Sequence, residues 1–185
     1  MAADASGSKA ASLLERCQEG DDSPRVAGID EVIALATKLQ APIVHALRGK
    51  EHIEWQNPYD VGMTGLLGFA SGYRAMEKCD ALLMLGTDFP YRQFFPEKAK
   101  IVQVDLRGEQ LGRRTPIDLG LVGGVRETAE ALLPLIDEGR SDSFAKESVE
   151  HYRKTRKGSM SSPSTTAKAA DPPAVRRATA RRTGE

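Results

Sequence analysis

Short apolar runs separated by stretches of helical period constrain this chain more than any other feature of it. The runs are APIVHA at residues 41–46, ALLML at 81–85, KIVQV at 100–104 and IDLGLV at 117–122. They are apolar at successive positions instead of alternating, which suits strands covered on both faces. Between them lie helical patterns. Ile29, Val32, Ile33, Ala36 and Leu39 share one stripe of a helix over residues 29–40, with Asp30 placed to cap it. Residues 64–76 read as a helix entered through a glycine-rich turn, residues 126–136 as another, and residues 139–150 extend a last one. Strands alternating with helices indicate a parallel sheet with helices on both faces. The expected class is α/β, a doubly wound parallel sheet.

The two ends differ from this middle. Residues 1–24 are small and polar and are expected to be a poorly structured N-terminal segment, in which residues 10–17 could form a short helix and no strand is buried. After Gly158 the chain is Ser, Thr, Ala, Pro and Arg with almost no large apolar side chains. Such a segment cannot offset its ordering entropy, so residues 158–185 are expected to be a disordered basic tail. The formal net charge is zero, yet residues 151–185 hold nine Lys/Arg against Asp171 and Glu185, so the remainder is net acidic. Arg176, Arg177, Arg181 and Arg182 could meet phosphates non-specifically, but no interleaved aromatics support specific nucleic-acid reading. Cys17 and Cys79 form no CxxC pair and read as two free thiols. No run approaches the ~20 apolar residues of a membrane span. The first residues lack the apolar core of a secretory signal. The expected setting is cytoplasmic.

Ligands of parallel sheets bind beyond the carboxyl ends of the strands. That points to Gly86, Thr87, Asp88, Phe89, Pro90, Tyr91 and Arg92 after ALLML, to Asp105 after KIVQV, and to Leu47–Gly49 and Lys50 after APIVHA. Asp105 sits where a carboxylate accepts ribose hydroxyls; the alternative is a turn residue for Arg107-Gly108. Residues 62–68, with Gly65 and Gly68, could bring backbone amides to a pyrophosphate, or form a glycine turn with no ligand. Arg48 and Arg92 could clamp phosphate or be solvated. His45 and His52, near Glu51 and Glu54, have no metal-ligand spacing. Trp55, Tyr59, Phe69 and Phe89 read as packing residues. No nucleophile elbow, P-loop or HExxH is present, so no catalytic residue and no metal ligand is assigned.

A longer pattern is more specific. The runs APIVHALRGKEHIEWQNPYDVGMTGLLGF, LLMLGTDFPYRQFFPEKAKIVQVDL and DLGLVGGVRETAEALLPLI, in this order, resemble the central domain of pyruvate dehydrogenase (quinone), or pyruvate oxidase. Acetohydroxyacid synthase and other thiamine-diphosphate enzymes have a looser version. The resemblance covers residues 27–157 and implies a Rossmann-like, FAD-binding domain over residues 25–157. It also implies flavin contacts from Thr64, Gly65, Leu66, Leu67, Gly86, Thr87, Asp88, Phe89, Pro90 and Asp105. In the parent family, thiamine diphosphate and magnesium are held by two further domains whose motifs are absent here. The implied parent reaction oxidises pyruvate to acetate and carbon dioxide, with quinone as acceptor, in an oligomer that can lie peripherally at a membrane. A chain of this kind would not be catalytic alone. The alternative is a stand-alone module for FAD or another adenine dinucleotide, or one that docks on a related full-length subunit.

The resemblance also implies an apolar first strand before the helix at residue 29. ERCQEGDDSPRVAG stands there instead, and both ends read as those of a truncated or frame-shifted product. The expected sheet therefore lacks its first strand. Four or five buried side chains lost at ~1.5–3 kcal/mol each would be comparable to the ~5–15 kcal/mol that stabilises a whole domain.

Overall fold

The computed structural model describes residues 10–14, 28–137 and 141–161. Six parallel strands form one sheet in the order β3-β2-β1-β4-β5-β6: β1 Ala10–Leu14, β2 Ile43–His45, β3 Asp60–Met63, β4 Ala81–Leu85, β5 Lys100–Asp105 and β6 Leu119–Val122. The helices are α1 Ile29–Leu39, α2 Lys50–Ile53, α3 Ala70–Lys78, α4 Val125–Leu132 and α5 Ser143–Ser161. This is the doubly wound α/β fold expected, with its strand order reversing between β1 and β4.

The first strand is present, which corrects the expectation of its loss. AASLL pairs along its whole length with β4, Ala10 opposite Ala81 through Leu14 opposite Leu85. On its other side Ser12, Leu13 and Leu14 pair with Ile43, Val44 and His45. The helix expected over residues 10–17 is replaced by this strand through residue 14; the rest of that span lies outside the described residues. The physical reason is context. A place between two apolar strands offers two hydrogen-bond ladders at once, and this outweighs the weak strand preference of Ala and Ser. Residues 10–14 thus belong to the sheet and not to a poorly structured N-terminal segment.

Successive residues of the strands face opposite cores. Ala11, Val44, Leu82, Met84 and Ile101 pack under α3 and α5 with Met76, Phe144 and Tyr152. Ile43, Leu85 and Val104 pack under α1 and α4 with Val32, Ala36 and Val125. The continuous apolar runs of β2, β4 and β5 are explained by this covering of both faces; β6, at the sheet edge, departs from the expectation, with Leu119 51% and Val122 67% exposed. Helix α1 begins after Gly28, which takes the N-cap position at a positive φ, and Asp30 lies in the first turn. Strand β3 has no counterpart among the expected strands. Its register against β2 slips by one residue, Ile43 opposite Asp60 but His45 opposite Met63. Gly62 absorbs this bulge at φ 87, and a Cβ there would lie 2.8 Å from the Tyr152 ring. The helix expected from residue 64 therefore starts only at Ala70. Helix α5 continues past the expected domain limit to Ser161, and the remainder of the basic tail lies outside the described residues.

Cys79 is buried, its thiol donates to the Met76 carbonyl at 3.0 Å, and burial pushes it up to about 12. Such a thiol is unreactive at neutral pH. Among the described residues no helix is long and apolar enough to cross a membrane.

The keystone position of β1 is testable at Ala11, which is 1% exposed. Ala11→Asp would bury a charge costing several kcal/mol, against a domain stability of ~5–15 kcal/mol. The expected result is loss of the cooperative thermal transition by circular dichroism. An unchanged melt would contradict the placement of β1.

Candidate functional site: the carboxyl edge of the sheet

The loops after β3, β4 and β5 meet at one edge. Gly65, at φ 102, lies under the rings of Phe89 and Tyr91, so that a Cβ would be 3.2 Å from Phe89. This brings the loop after β3 across β2 and β1 to the loop after β4. Gly86 donates its amide to the Val104 carbonyl at 2.9 Å, which sets the β4 loop beside Asp105. The glycines of residues 62–68 thus serve close packing within the protein. At Gly68 a Cβ would meet the Met63 carbonyl oxygen at 2.6 Å. The amide of Phe69 is likewise taken by the Met63 carbonyl. The glycine turn is therefore a loop that precedes α3, whose first residue is Ala70, and not the helix start expected.

The ten expected contact residues fall into distinct environments. Thr64 is 3% exposed, and its Oγ1 has no hydrogen-bond partner. Leu66 and Leu67 project into solvent, 67% and 76% exposed. Thr87 is fully buried and its Oγ1 accepts the Phe89 amide at 3.2 Å. Phe89 is buried against Tyr91, Phe94 and Phe95 in edge-to-face contacts, while Pro90 is exposed. Asp105 is buried at the end of β5; its Oδ1 accepts the Arg107 amide at 2.9 Å, and its carbonyl accepts from Gly123. The turn role is thus real, and it engages Oδ1 of the carboxylate.

Asp88 is engaged differently. The Arg114 guanidinium grips its carboxylate with both arms, Nε to Oδ1 at 2.7 Å and Nη2 to Oδ2 at 2.9 Å. Arg113 lies 3.7 Å away. The hydrogen bonds from Arg114, with the charges of Arg114, Arg113 and Arg107, hold the Asp88 carboxyl below the usual carboxylate range. Arg114 received no sequence assignment; the doubled RR before β6 was its only signal. Arg48 is exposed, and Arg92 donates to the Arg113 carbonyl at 3.3 Å. Trp55 is 71% exposed, contrary to its expected packing role.

Residues 22–132 match the family described as thiamine pyrophosphate enzyme, central domain. The chain belongs to that family. This central domain is 59% identical over 129 residues to an "uncharacterized 42.6 kDa protein in isoamylase 3′ region" of Pseudomonas amyloderamosa, an alignment covering 70% of the chain and 33% of that protein. It is 39% identical over 104 residues to a putative thiamine pyrophosphate-containing protein of Bacillus subtilis, covering 54% of the chain and 18% of the relative. With the sulfoacetaldehyde acetyltransferase of Roseovarius nubinhibens the identity is 28% over 130 residues, covering 66% and 22%. The chain spans a third or less of the length of these relatives.

A second polar feature of this central domain lies inside it. His45 and Asp60 are buried side by side, 1% and 6% exposed, with Nε2 3.4 Å from Oδ1. The His45 Nδ1 faces the Ala46 carbonyl at 3.3 Å, so Nδ1 carries a proton and Nε2 of the neutral ring is bare. Asp60 Oδ1 accepts the Gly62 amide, and Tyr152 of α5 faces the same carboxylate. Burial, with Glu54 adding to it, pushes the Asp60 carboxyl up to about 6, while burial lowers His45. A neutral His45 beside a protonated Asp60 is the arrangement both shifts favour. No sequence assignment reached Asp60; an acid directly before a short apolar stretch, VGM, was the available signal. His52 lies instead beside the exposed Glu51 at 3.4 Å, and no three metal-ligating side chains gather among the described residues.

Asp60 has its folded value above the ordinary 3.8, so its contribution to stability is full below that pH and is lost as pH rises through about 6. His45, depressed below 6.5, acts oppositely, and its contribution is lost as pH falls below 6.5. Asp60→Asn removes only the first effect. By urea unfolding, the variant is expected to exceed the unsubstituted chain by up to roughly 3 kcal/mol at about pH 8, the gap closing toward about pH 4. A gap independent of pH would contradict the buried, proton-holding Asp60.

Proposed function

We propose that this chain is the FAD-binding central domain of a thiamine-diphosphate-dependent pyruvate:quinone oxidoreductase, without catalytic activity of its own. The observation that carries the reading is the place of Asp105, buried at the end of β5 with its Oδ1 taken by the Arg107 amide, beyond the carboxyl ends of the strands. A carboxylate so placed accepts ribose hydroxyls and repels a 2′-phosphate. The loops after β3 and β4 add further groups suited to a flavin dinucleotide. Leu66 and Leu67 offer apolar surface to a ring system, while the Thr64 hydroxyl is without a partner but buried. Asp88 would act through its grip on Arg114 and not as a direct contact.

The choice of pyruvate and quinone rests on the sequence resemblance of residues 27–157. In the parent reaction FAD relays the electron pair to quinone while pyruvate and water become acetate and carbon dioxide. Thiamine diphosphate, magnesium and the oligomeric contacts would belong to other domains, and related full-length subunits are the natural docking partners. A second reading, a stand-alone dinucleotide-binding module, is favoured by the six-stranded sheet with helices on both faces. Such a sheet needs no borrowed strand to fold.

Titration of the purified chain with FAD, followed by flavin fluorescence, tests both. Saturable binding is expected, weakened about tenfold or more in Asp105→Ala, the usual cost of a lost hydrogen bond to a charged group. Absence of binding by a cooperatively folded chain would overturn the flavin reading. Pyruvate oxidation by the chain alone would overturn the non-catalytic assignment.

A further inference from the structure

The connection from β5 to β6, residues 106–118, contains no α-helix, only a 3-10 turn at Gly108–Gln110. Parallel crossovers are usually helical, which satisfies their backbone internally. Here a side chain from the sheet supplies partners. Gln103 is 2% exposed in the middle of β5. Its Nε2 donates to the Gln110 carbonyl at 3.2 Å, and its Oε1 accepts the Gly112 amide at 2.9 Å. The network continues outward. Gln110 Oε1 accepts from Arg113 at 3.0 Å, the Arg113 carbonyl accepts from Arg92, and the adjacent Arg114 grips Asp88. Gln103 also shares a strand face with Asp105, two residues on. The segment it pins therefore runs from Asp105 to the arginine that fixes the β4 loop.

We infer that Gln103 is the positioning residue of the dinucleotide edge: it holds residues 106–114 so that the Asp105 carboxylate and the Asp88–Arg114 clamp keep the spacing that admits a free ribose 2′-hydroxyl. This rests on the dinucleotide reading above. A glutamine is suited to the task because it presents a donor and an acceptor together and stays neutral when buried. An apolar side chain of similar length leaves the Gln110 carbonyl and the Gly112 amide without partners.

The test compares the full chain with Gln103→Met and Gln103→Glu, using ADP and adenosine 2′,5′-bisphosphate as probes. The unsubstituted chain is expected to prefer ADP. In Gln103→Met that preference falls about tenfold, the scale of a lost buried hydrogen bond, and the Gly112 amide exchanges faster with solvent. In Gln103→Glu the acceptor for Gly112 remains, so its exchange stays slow. General loosening of the fold would weaken both nucleotides alike and leave the ratio unchanged. An unchanged ratio in a folded Gln103→Met chain overturns this inference alone. Should Gln103→Met fail to fold, a Gln103→Glu chain with unchanged selectivity and fast Gly112 exchange overturns it. Failure of the unsubstituted chain to bind either nucleotide overturns the dinucleotide reading itself, and this inference with it.

Discussion

Strand β1 carries two parallel ladders, one to β4 along Ala10–Leu14 and one to β2 along Ser12–Leu14. Without it the β3-β2 pair and the β4-β5-β6 group would be separate sheet fragments, each with an open edge. A two-stranded piece is marginal in water. Open inner edges would leave backbone donors and acceptors without partners beneath α3 and α5. The pairing of a short, small-residue segment with two apolar neighbours thus decides whether the chain has one core layer on each face or none.

The same pairing creates the candidate site. Strand order reverses between β1 and β4, the point where loops of such sheets turn to opposite sides. From one side comes the loop after β3, reaching Phe89 and Tyr91 through Gly65. From the other come Gly86–Pro90 and Asp105, tied together by the Gly86–Val104 hydrogen bond. The polar groups are largely spoken for by the protein itself: Thr87 by the Phe89 amide, Asp88 by Arg114, one oxygen of Asp105 by Arg107. These internal partners make the edge a rigid one.

The layered fold was legible where apolar runs are long enough to be covered twice, as in ALLML and KIVQV. It was not legible in AASLL, because Ala and Ser carry little strand signal and the polar ERCQEG that follows suggests exposure. Strand β3 escaped because it holds Asp60 and Gly62 in a four-residue span, with a bulge that breaks alternation. The place of Asp105 at the carboxyl end of β5 was legible, since that inference needs only topology. The Asp88–Arg114 clamp, the Gln103 network and the His45–Asp60 pair were not, because each joins residues distant in sequence through side-chain geometry. The glycines of residues 62–68 show the converse: their spacing suggested an anion cradle, whereas Met63, Phe89 and Tyr91 supply the reason for them.

Amide hydrogen exchange of residues 11–14, read by NMR on the full chain, tests the central place of β1 most directly. If AASLL is the inner strand of the sheet, its paired amides exchange only when the whole domain unfolds, at the same free energy as those of β4. Exchange of residues 11–14 at rates near those of an unstructured peptide, with β4 still protected, would mean that the sheet is closed by something other than β1.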